Sequence, residues 1–130
     1  LLYRTYHGCA MSAHHQYASA LAWQDEIHVE QNRDLYRQKF AIVEDILRKH
    51  FAVHTPQGGF YHWLPVGEDD ALFARDLMRD QHVKVVPGQF LGRDSGAGNP
   101  GTGHIRVAWV SELTRCQEAA ERLLEFAKTR

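Results

Sequence analysis

The strongest periodic pattern in the chain predicts a long amphipathic helix from Asp25, which can cap it, to about His50. Its apolar positions recur every three or four residues, as the buried face of an α-helix requires. They are Tyr36, Phe40, Ile42, Val43, Ile46 and Leu47. Opposite charges stand four residues apart elsewhere on this helix, and we assign them to an exposed face rather than to a site. These pairs are Glu44–Arg48 and Asp45–Lys49.

Three shorter helices are predicted around it. Small helix-forming residues predict a helix over residues 12–23, with Ser12 at its N-cap. The acidic run Glu68-Asp69-Asp70 predicts the first turn of another helix, which ends near Gln81. Ser111 is the predicted N-cap of a final helix. The apolar stripe of that helix is Leu113, Cys116, Ala120, Leu123 and Ala127.

Alternating and β-branched segments predict three strands. The first covers residues 60–66, with Tyr61 and Trp63 on the face opposite to Phe60, His62 and Leu64. The second covers residues 83–86 and ends at Pro87-Gly88. A Gly-rich loop over residues 92–103 leads to the third strand, residues 104–110.

From about residue 25 onward the predicted order of elements is α-β-α-β-β-α. This order favours an α+β fold, with a small three- to four-stranded sheet covered by helices. The helix at residues 12–23 has no evident packing partner among these elements, so we expect it to pack on polypeptide outside this chain. The chain begins at Leu1 rather than at methionine, which is expected of a piece of a longer protein and equally of a chain that has lost its initiator and a few residues.

Composition excludes several classes of function. The 130 residues carry 15 Lys+Arg and 16 Asp+Glu, a net charge of -1, so no basic surface for nucleic acid or an anionic membrane is expected. The apolar stretches are too short for a membrane span or a signal peptide. Cys9 and Cys116 are too few for a disulfide framework, and we expect free thiols in a reducing compartment, the cytoplasm.

Common motifs do not identify a site. Gly96-Ala97-Gly98-Asn99-Pro100-Gly101 matches G-x-G-x-x-G, but a strand follows it where a nucleotide site needs a helix. The nine histidines offer no three ligands at metal-binding spacing, and His14 and His15 should point about 100° apart on their helix. We therefore predict no metal site. Catalytic motifs such as G-x-S-x-G and H-E-x-x-H are absent.

Arg106 is the one charged residue that stands out by its position. In the third strand, Ile105, Val107 and Trp109 form the core face, so Arg106 points to the opposite face in mid-strand. A planar guanidinium beside a Gly-rich loop can bind a carboxylate through two hydrogen bonds. The alternative is an ordinary surface arginine on an open sheet face.

Three blocks of the sequence together resemble the C-terminal small domain of class I and II pyridoxal-phosphate aminotransferases. They are Gly58-Gly59-Phe60-Tyr61-His62-Trp63, Val85-Val86-Pro87-Gly88-Gln89-Phe90 and Gly103-His104-Ile105-Arg106-Val107. Their order and spacing fit that family, and the resemblance covers essentially the whole chain. The opening run Tyr3-Arg4-Thr5-Tyr6-His7-Gly8-Cys9-Ala10-Met11 is similar to the N-succinyldiaminopimelate aminotransferase branch, which serves lysine and diaminopimelate biosynthesis in bacteria.

The resemblance implies two site residues and a domain division. Arg106 would bind the α-carboxylate of amino-acid and keto-acid substrates, and Phe90 would lie near the substrate mouth. The family often has Phe-Gly directly where this chain has Phe90-Leu91-Gly92, which is a departure at that turn. Residues 1–24 would end the large cofactor-binding domain, and residues 25–130 would form the small domain. The intact enzyme would be a homodimer, with Tyr6-His7-Gly8 near the dimer interface.

The same resemblance implies that pyridoxal phosphate is held outside this chain. None of the four lysines lies in the family's motif for the lysine that binds the cofactor covalently; they are Lys39, Lys49, Lys84 and Lys128. The chain would thus hold no catalytic or cofactor-binding residue and would be inactive alone. The expected reaction of the full protein is amino transfer between N-succinyl-LL-2,6-diaminopimelate and 2-oxoglutarate. The alternative is a stand-alone, non-catalytic α/β module that binds a small carboxylated ligand.

Overall fold

The computed structural model describes residues 2–8, 10–67 and 69–130. By their internal packing these residues divide into two compact units, one up to Asp34 and one from Leu35 to Arg130. Cys9, expected to be a free thiol, and Glu68, expected in a first helical turn, lie outside the described residues. Within the described residues, no helix combines the length and the apolar character needed to cross a bilayer.

The first unit is helical. It contains α1 (Leu2–His7), α2 (Ala13–Gln24) and the first part of α3 (Ile27–Leu47). Asp25 caps α3 as predicted, since its carboxylate accepts a hydrogen bond from the Ile27 amide at 3.1 Å. Ser12 occupies the N-cap of α2, but its hydroxyl bonds the rings of His14 and His15 instead of a backbone amide. Those two rings are 4.5 Å apart, so the expectation that they point apart is wrong.

The second unit has the predicted α+β architecture. After α3 come β1 (Tyr61–Pro65), α4 (Asp70–Gln81), β2 (Val86–Pro87), a short 3-10 turn (Gly88–Phe90), β3 (His104–Ala108) and α5 (Leu113–Lys128). The three strands form one antiparallel sheet in the order β1-β3-β2. The third strand in sequence is therefore central, with β1 and the two-residue β2 as its neighbours.

One hydrophobic core joins the inner face of this sheet to α3, α4 and α5. Ile105, Val107 and Trp109 are buried there, which confirms the predicted core face of β3. The predicted stripes of α3 and α5 also face this core, with half-buried Tyr36 and Ile42 packed against it; Leu113 is half-buried at the start of α5. Burial of each large apolar side chain contributes about 1.5–3 kcal/mol. Because side chains alternate along a strand, burial of the inner residues directs the residues between them to the outer face of the sheet.

A buried polar network crosses this core. Trp109 Nε1 donates a hydrogen bond to His62 Nδ1 at 2.7 Å, so the imidazole proton lies on Nε2 and is donated to Glu44 Oε1 at 3.0 Å. Thr55 Oγ1 and Arg48 Nη2 donate to the other oxygen of Glu44. The expectation that Glu44 lies on an exposed face is therefore wrong. Its carboxylate is buried, because it accepts a hydrogen bond from His62 on the inner face of the sheet.

The ionisation states follow from this network. Burial lowers the pKa of His62, and its hydrogen bond to Glu44 does not fully offset that effect. Burial opposes ionisation of Glu44, but the hydrogen bonds from Thr55 and His62 outweigh it and hold the pKa of Glu44 below its usual value. We conclude that a neutral imidazole donates to a carboxylate inside the core.

Several predicted boundaries shift in the structure. The strand expected at residues 83–86 pairs with β3 only at Val86 and Pro87. Pro87 is compatible with this edge strand, where it need not donate a hydrogen bond to a further strand. The helix predicted to reach about His50 ends at Leu47 and continues as a turn. Helix α5 has Glu112 rather than Ser111 at its N-cap, and the Ser111 carbonyl accepts from Cys116 Sγ. Cys116 is a buried free thiol.

We expect the free energy of unfolding to fall as the pH drops below about 6.5, the ordinary pKa of histidine. The unfolded chain then binds a proton that folded His62 does not bind, and one such group gives a slope of at most about 1.4 kcal/mol per pH unit. Urea unfolding between about pH 7.5 and 5.5 measures this slope. His62→Gln should flatten the slope, and His54→Gln, at an exposed histidine, should preserve it. Equal slopes in all three proteins would contradict the assignment.

Candidate carboxylate-binding site

The outer face of the sheet carries Arg106 at its centre. The register places Arg106 opposite Trp63 of β1 on one side and opposite Val86 of β2 on the other. Its neighbours along β3, Ile105 and Val107, are buried in the core. Because side chains alternate along a strand, burial of those two fixes Arg106 on the outer face, as the sequence predicts.

The buried Nε of Arg106 makes no hydrogen bond in the part of the chain that the structure describes. The guanidinium lies near the ring of Tyr61, whose centroid is 5.7 Å from Cζ. A buried donor without an acceptor is rare in folded proteins, and a planar guanidinium fits a carboxylate through two parallel bonds. The geometry therefore favours an anionic ligand on this face.

Aromatic side chains surround this arginine. The ring of Trp63 stacks on His104 with centroids 5.5 Å apart and an interplanar angle of 15°. His104 is held by a hydrogen bond from its Nδ1 to the Thr102 carbonyl. Tyr61 lies on the same face of β1 as Trp63 and is 39% exposed. Aromatic side chains beside an ion pair lower the local dielectric constant and strengthen the ionic contact when a ligand covers them.

The turn that follows β2 packs backbone against backbone on the loop that leads to β3. Gly88 and Gly101 approach so closely that a Cβ on either would overlap the other's carbonyl oxygen. Asn99 bridges the two segments, because its Nδ2 donates to the Gln89 carbonyl and its Oδ1 accepts from the Gly101 amide, both at 2.8 Å. These contacts attach the end of the loop at Asn99 and Gly101 to the turn after β2, where the sequence indicated only a Gly-rich connection.

Asp70 is the polar residue near this turn that sequence reasoning missed. We assigned the acidic run to a helix start, and Asp69 does cap α4 by accepting from the Leu72 amide at 2.8 Å. Asp70, however, is fully buried and accepts hydrogen bonds from Gln89 and Gly103. No sequence signal distinguishes it from its acidic neighbours, because its partners lie 19 and 33 residues away.

Phe90, the other predicted site residue, ends the 3-10 turn and is 71% exposed. It belongs to the same turn as Gly88 and Gln89, on the chain segment that follows β2. Its role at a substrate mouth stays a prediction.

The four lysines of this chain have different surroundings. Lys39 donates to the Trp109 carbonyl at 3.1 Å and lies over the Tyr36 ring. Lys49 and Lys128 are exposed and line one groove between α3 and α5, whereas Lys84 is exposed beside Arg115 and Arg122. None of the four lies in the family's motif for the cofactor lysine, so the binding of pyridoxal phosphate outside this chain stays a prediction.

Comparison with known proteins gives a family match over most of the chain. The family described as aminotransferase class I and II matches residues 2–123. A crystal structure of an aminotransferase from Neisseria meningitidis aligns with 95% of this chain and 32% of its own, at a TM-score of 0.87 and 49% identity.

Two further relatives carry names from diaminopimelate metabolism. The LL-diaminopimelate aminotransferase of Syntrophobacter fumaroxidans is 31% identical over 102 residues, 76% of this chain and 24% of its own. The structure of a probable N-succinyldiaminopimelate aminotransferase from Thermus thermophilus covers 71% of this chain and 24% of its own, at 29% identity and a TM-score of 0.58. The chain therefore spans about a third or less of the length of the relatives it matches.

We expect Gly88→Ala to destabilise the second unit by about 1–3 kcal/mol, the usual effect of overpacking, because the new methyl group has no space between the Gly101 and His104 carbonyls. Gly96→Ala is the matched control, since Gly96 lies in the loop that Gly88 contacts and a methyl group added there would meet no atom within 4 Å. That control should change the free energy of unfolding by less than about 1 kcal/mol. Similar urea midpoints for the two variants would contradict the close approach.

Proposed function

The chain belongs to the family of class I and II aminotransferases, and on that premise we propose that it is the C-terminal part of a pyridoxal-phosphate-dependent aminotransferase. In this proposal Arg106 binds the α-carboxylate of the amino-acid and keto-acid substrates. The observation that carries the proposal is the guanidinium on the outer sheet face, whose buried Nε has no acceptor among the described residues.

Arg106 would act by binding and orientation. Two parallel charge-assisted bonds fix a carboxylate in a plane and leave little rotational freedom at the adjacent carbon, which presents its hydrogen in one direction. The Trp63–His104 stack and Tyr61 would exclude water around that ion pair. Pyridoxal phosphate, bound by polypeptide outside this chain, would supply the electron-withdrawing ring that amino transfer requires.

The proposal assigns residues 1–24 to the end of the large cofactor-binding domain and residues 25–130 to the small domain. The packing of this chain divides it later, after Asp34, but helix α2 supports a packing partner outside the chain, because none of its residues is buried. Its large exposed apolar side chains are Tyr17, Leu21 and Trp23. Such side chains favour contact with further polypeptide, and we propose the rest of the large domain and the second subunit of a homodimer.

For the substrates, we propose N-succinyl-LL-2,6-diaminopimelate and 2-oxoglutarate. Support comes from the two diaminopimelate-related aminotransferases, at 31% and 29% identity. Both substrates carry the α-carboxylate that Arg106 would bind. The free, buried Cys116 agrees with a reducing compartment, and we place the enzyme in the cytoplasm.

We expect Arg106→Lys in the full-length enzyme to lower kcat/KM for both substrates about 10- to 150-fold, because lysine keeps the charge but loses the second parallel bond. Arg115→Lys, at an exposed position of α5, is the matched control and should leave the kinetics unchanged. Steady-state kinetics with each substrate varied in turn give the answer. Unaltered kcat/KM values for Arg106→Lys would contradict carboxylate binding by Arg106 and would favour an ordinary surface arginine.

Reduction of the native gene product with borohydride in the presence of pyridoxal phosphate should label one lysine outside this chain. The reason is that Lys39 is engaged with the Trp109 carbonyl and that none of the four lysines lies in the family's motif for the cofactor lysine. Peptide mass spectrometry locates the label. Specific labelling of any lysine between residues 1 and 130, or of none at all, would favour the non-catalytic carboxylate-binding module instead.

A further inference from the structure

The first turn of α4 contains two neighbouring aspartates with different surroundings. Asp69 performs the helix capping, because its carboxylate accepts from the Leu72 amide. Asp70 has 0% of its surface exposed, although a first-turn aspartate is usually solvated. Since Asp69 already supplies the cap, the burial of Asp70 has another cause.

The carboxylate of Asp70 binds three N–H groups from two distant segments. Oδ2 accepts from the Gln89 backbone amide at 2.8 Å, and Oδ1 accepts from Gln89 Nε2 at 3.0 Å and from the Gly103 amide at 3.3 Å. Burial of a carboxylate costs free energy unless hydrogen bonds satisfy its oxygens. These three donors therefore stabilise the buried carboxylate, and the carboxylate in turn fixes the positions of the donors.

Both segments adjoin Arg106. Gln89 lies in the turn directly after β2, whose Val86 pairs with Arg106, and Gly103 directly precedes β3, three residues before Arg106. Asn99 and the Gly88–Gly101 approach close the same turn. Asp70 therefore fixes the edge strand and the start of the central strand relative to each other, next to the guanidinium.

We propose that Asp70 is a positioning residue for carboxylate binding by Arg106. This inference rests on the proposed function and extends it to a residue that does not touch the substrate. Asparagine at this position would present an NH2 group to one or more of the three N–H donors and break the tie without changing the size of the side chain.

The test measures 2-oxoglutarate binding by isothermal titration in the full-length, cofactor-loaded enzyme. Asp70→Asn should weaken binding about 10-fold and raise KM for the keto acid more than it lowers kcat. Asp69→Ala, which removes the helix cap and leaves the turn bonds intact, is the matched control and should stay within twofold of wild type. Equal effects of the two substitutions would overturn the inference, because both would then act through helix stability.

A double-mutant cycle separates this inference from the proposed function. In the R106K background, D70N should weaken binding less than twofold, because the group that it positions is already impaired. A full 10-fold additional loss would overturn the positioning role. Unchanged binding in R106K alone would overturn the proposed function, whereas a weakened R106K with an unaffected D70N would overturn this inference alone.

Gln89→Ala is a milder probe of the same hydrogen bonds to Asp70, for the case that D70N gives no soluble enzyme. It removes one of the three donors and keeps the buried carboxylate and its two backbone partners. We expect about threefold weaker 2-oxoglutarate binding in the wild-type background and no further loss in R106K. Wild-type affinity in Gln89→Ala, or an equal loss in both backgrounds, would count against the proposal.

Discussion

The alternation of side chains along β3 is the constraint on which the rest of the structure depends. Ile105 and Val107 are buried on one face, so Arg106 between them has to leave the core on the other. The core therefore sets the direction of the guanidinium before any ligand is present. A single-residue slip of the register would send Arg106 into the apolar core, which makes the register strongly specified.

The neighbouring segments then fix the position of Arg106 on the outer face. On the inner side, the Trp109–His62–Glu44 chain of hydrogen bonds connects the end of β3, β1 and α3 through the core. On the outer side, the turn after β2 is closed by glycine contacts and by buried hydrogen bonds. The two arrangements differ in kind, because the first stabilises the sheet against α3 and the second fixes the strands beside Arg106.

Sequence pattern was sufficient for the elements that obey a period. The stripe of α3, the core face of β3 and the outward direction of Arg106 all follow from spacings of two, three and four residues. Glu44 and Asp70 could not be found that way, because each resembles an ordinary surface acid until its partners come from far along the chain. The strand predicted at residues 83–86 differs from the observed β2 for the same reason. The β-branched residues indicated a strand, but pairing with β3 determines which residues form it. The family was visible only because three weak blocks occur in the right order.

The most direct measurement is a crystal structure of the full-length enzyme with cofactor and 2-oxoglutarate bound. The account predicts that the carboxylate next to the keto group lies within about 3 Å of two nitrogens of Arg106, in the plane of the guanidinium. A ligand whose carboxylate is bound elsewhere, with the outer sheet face left empty, would contradict it.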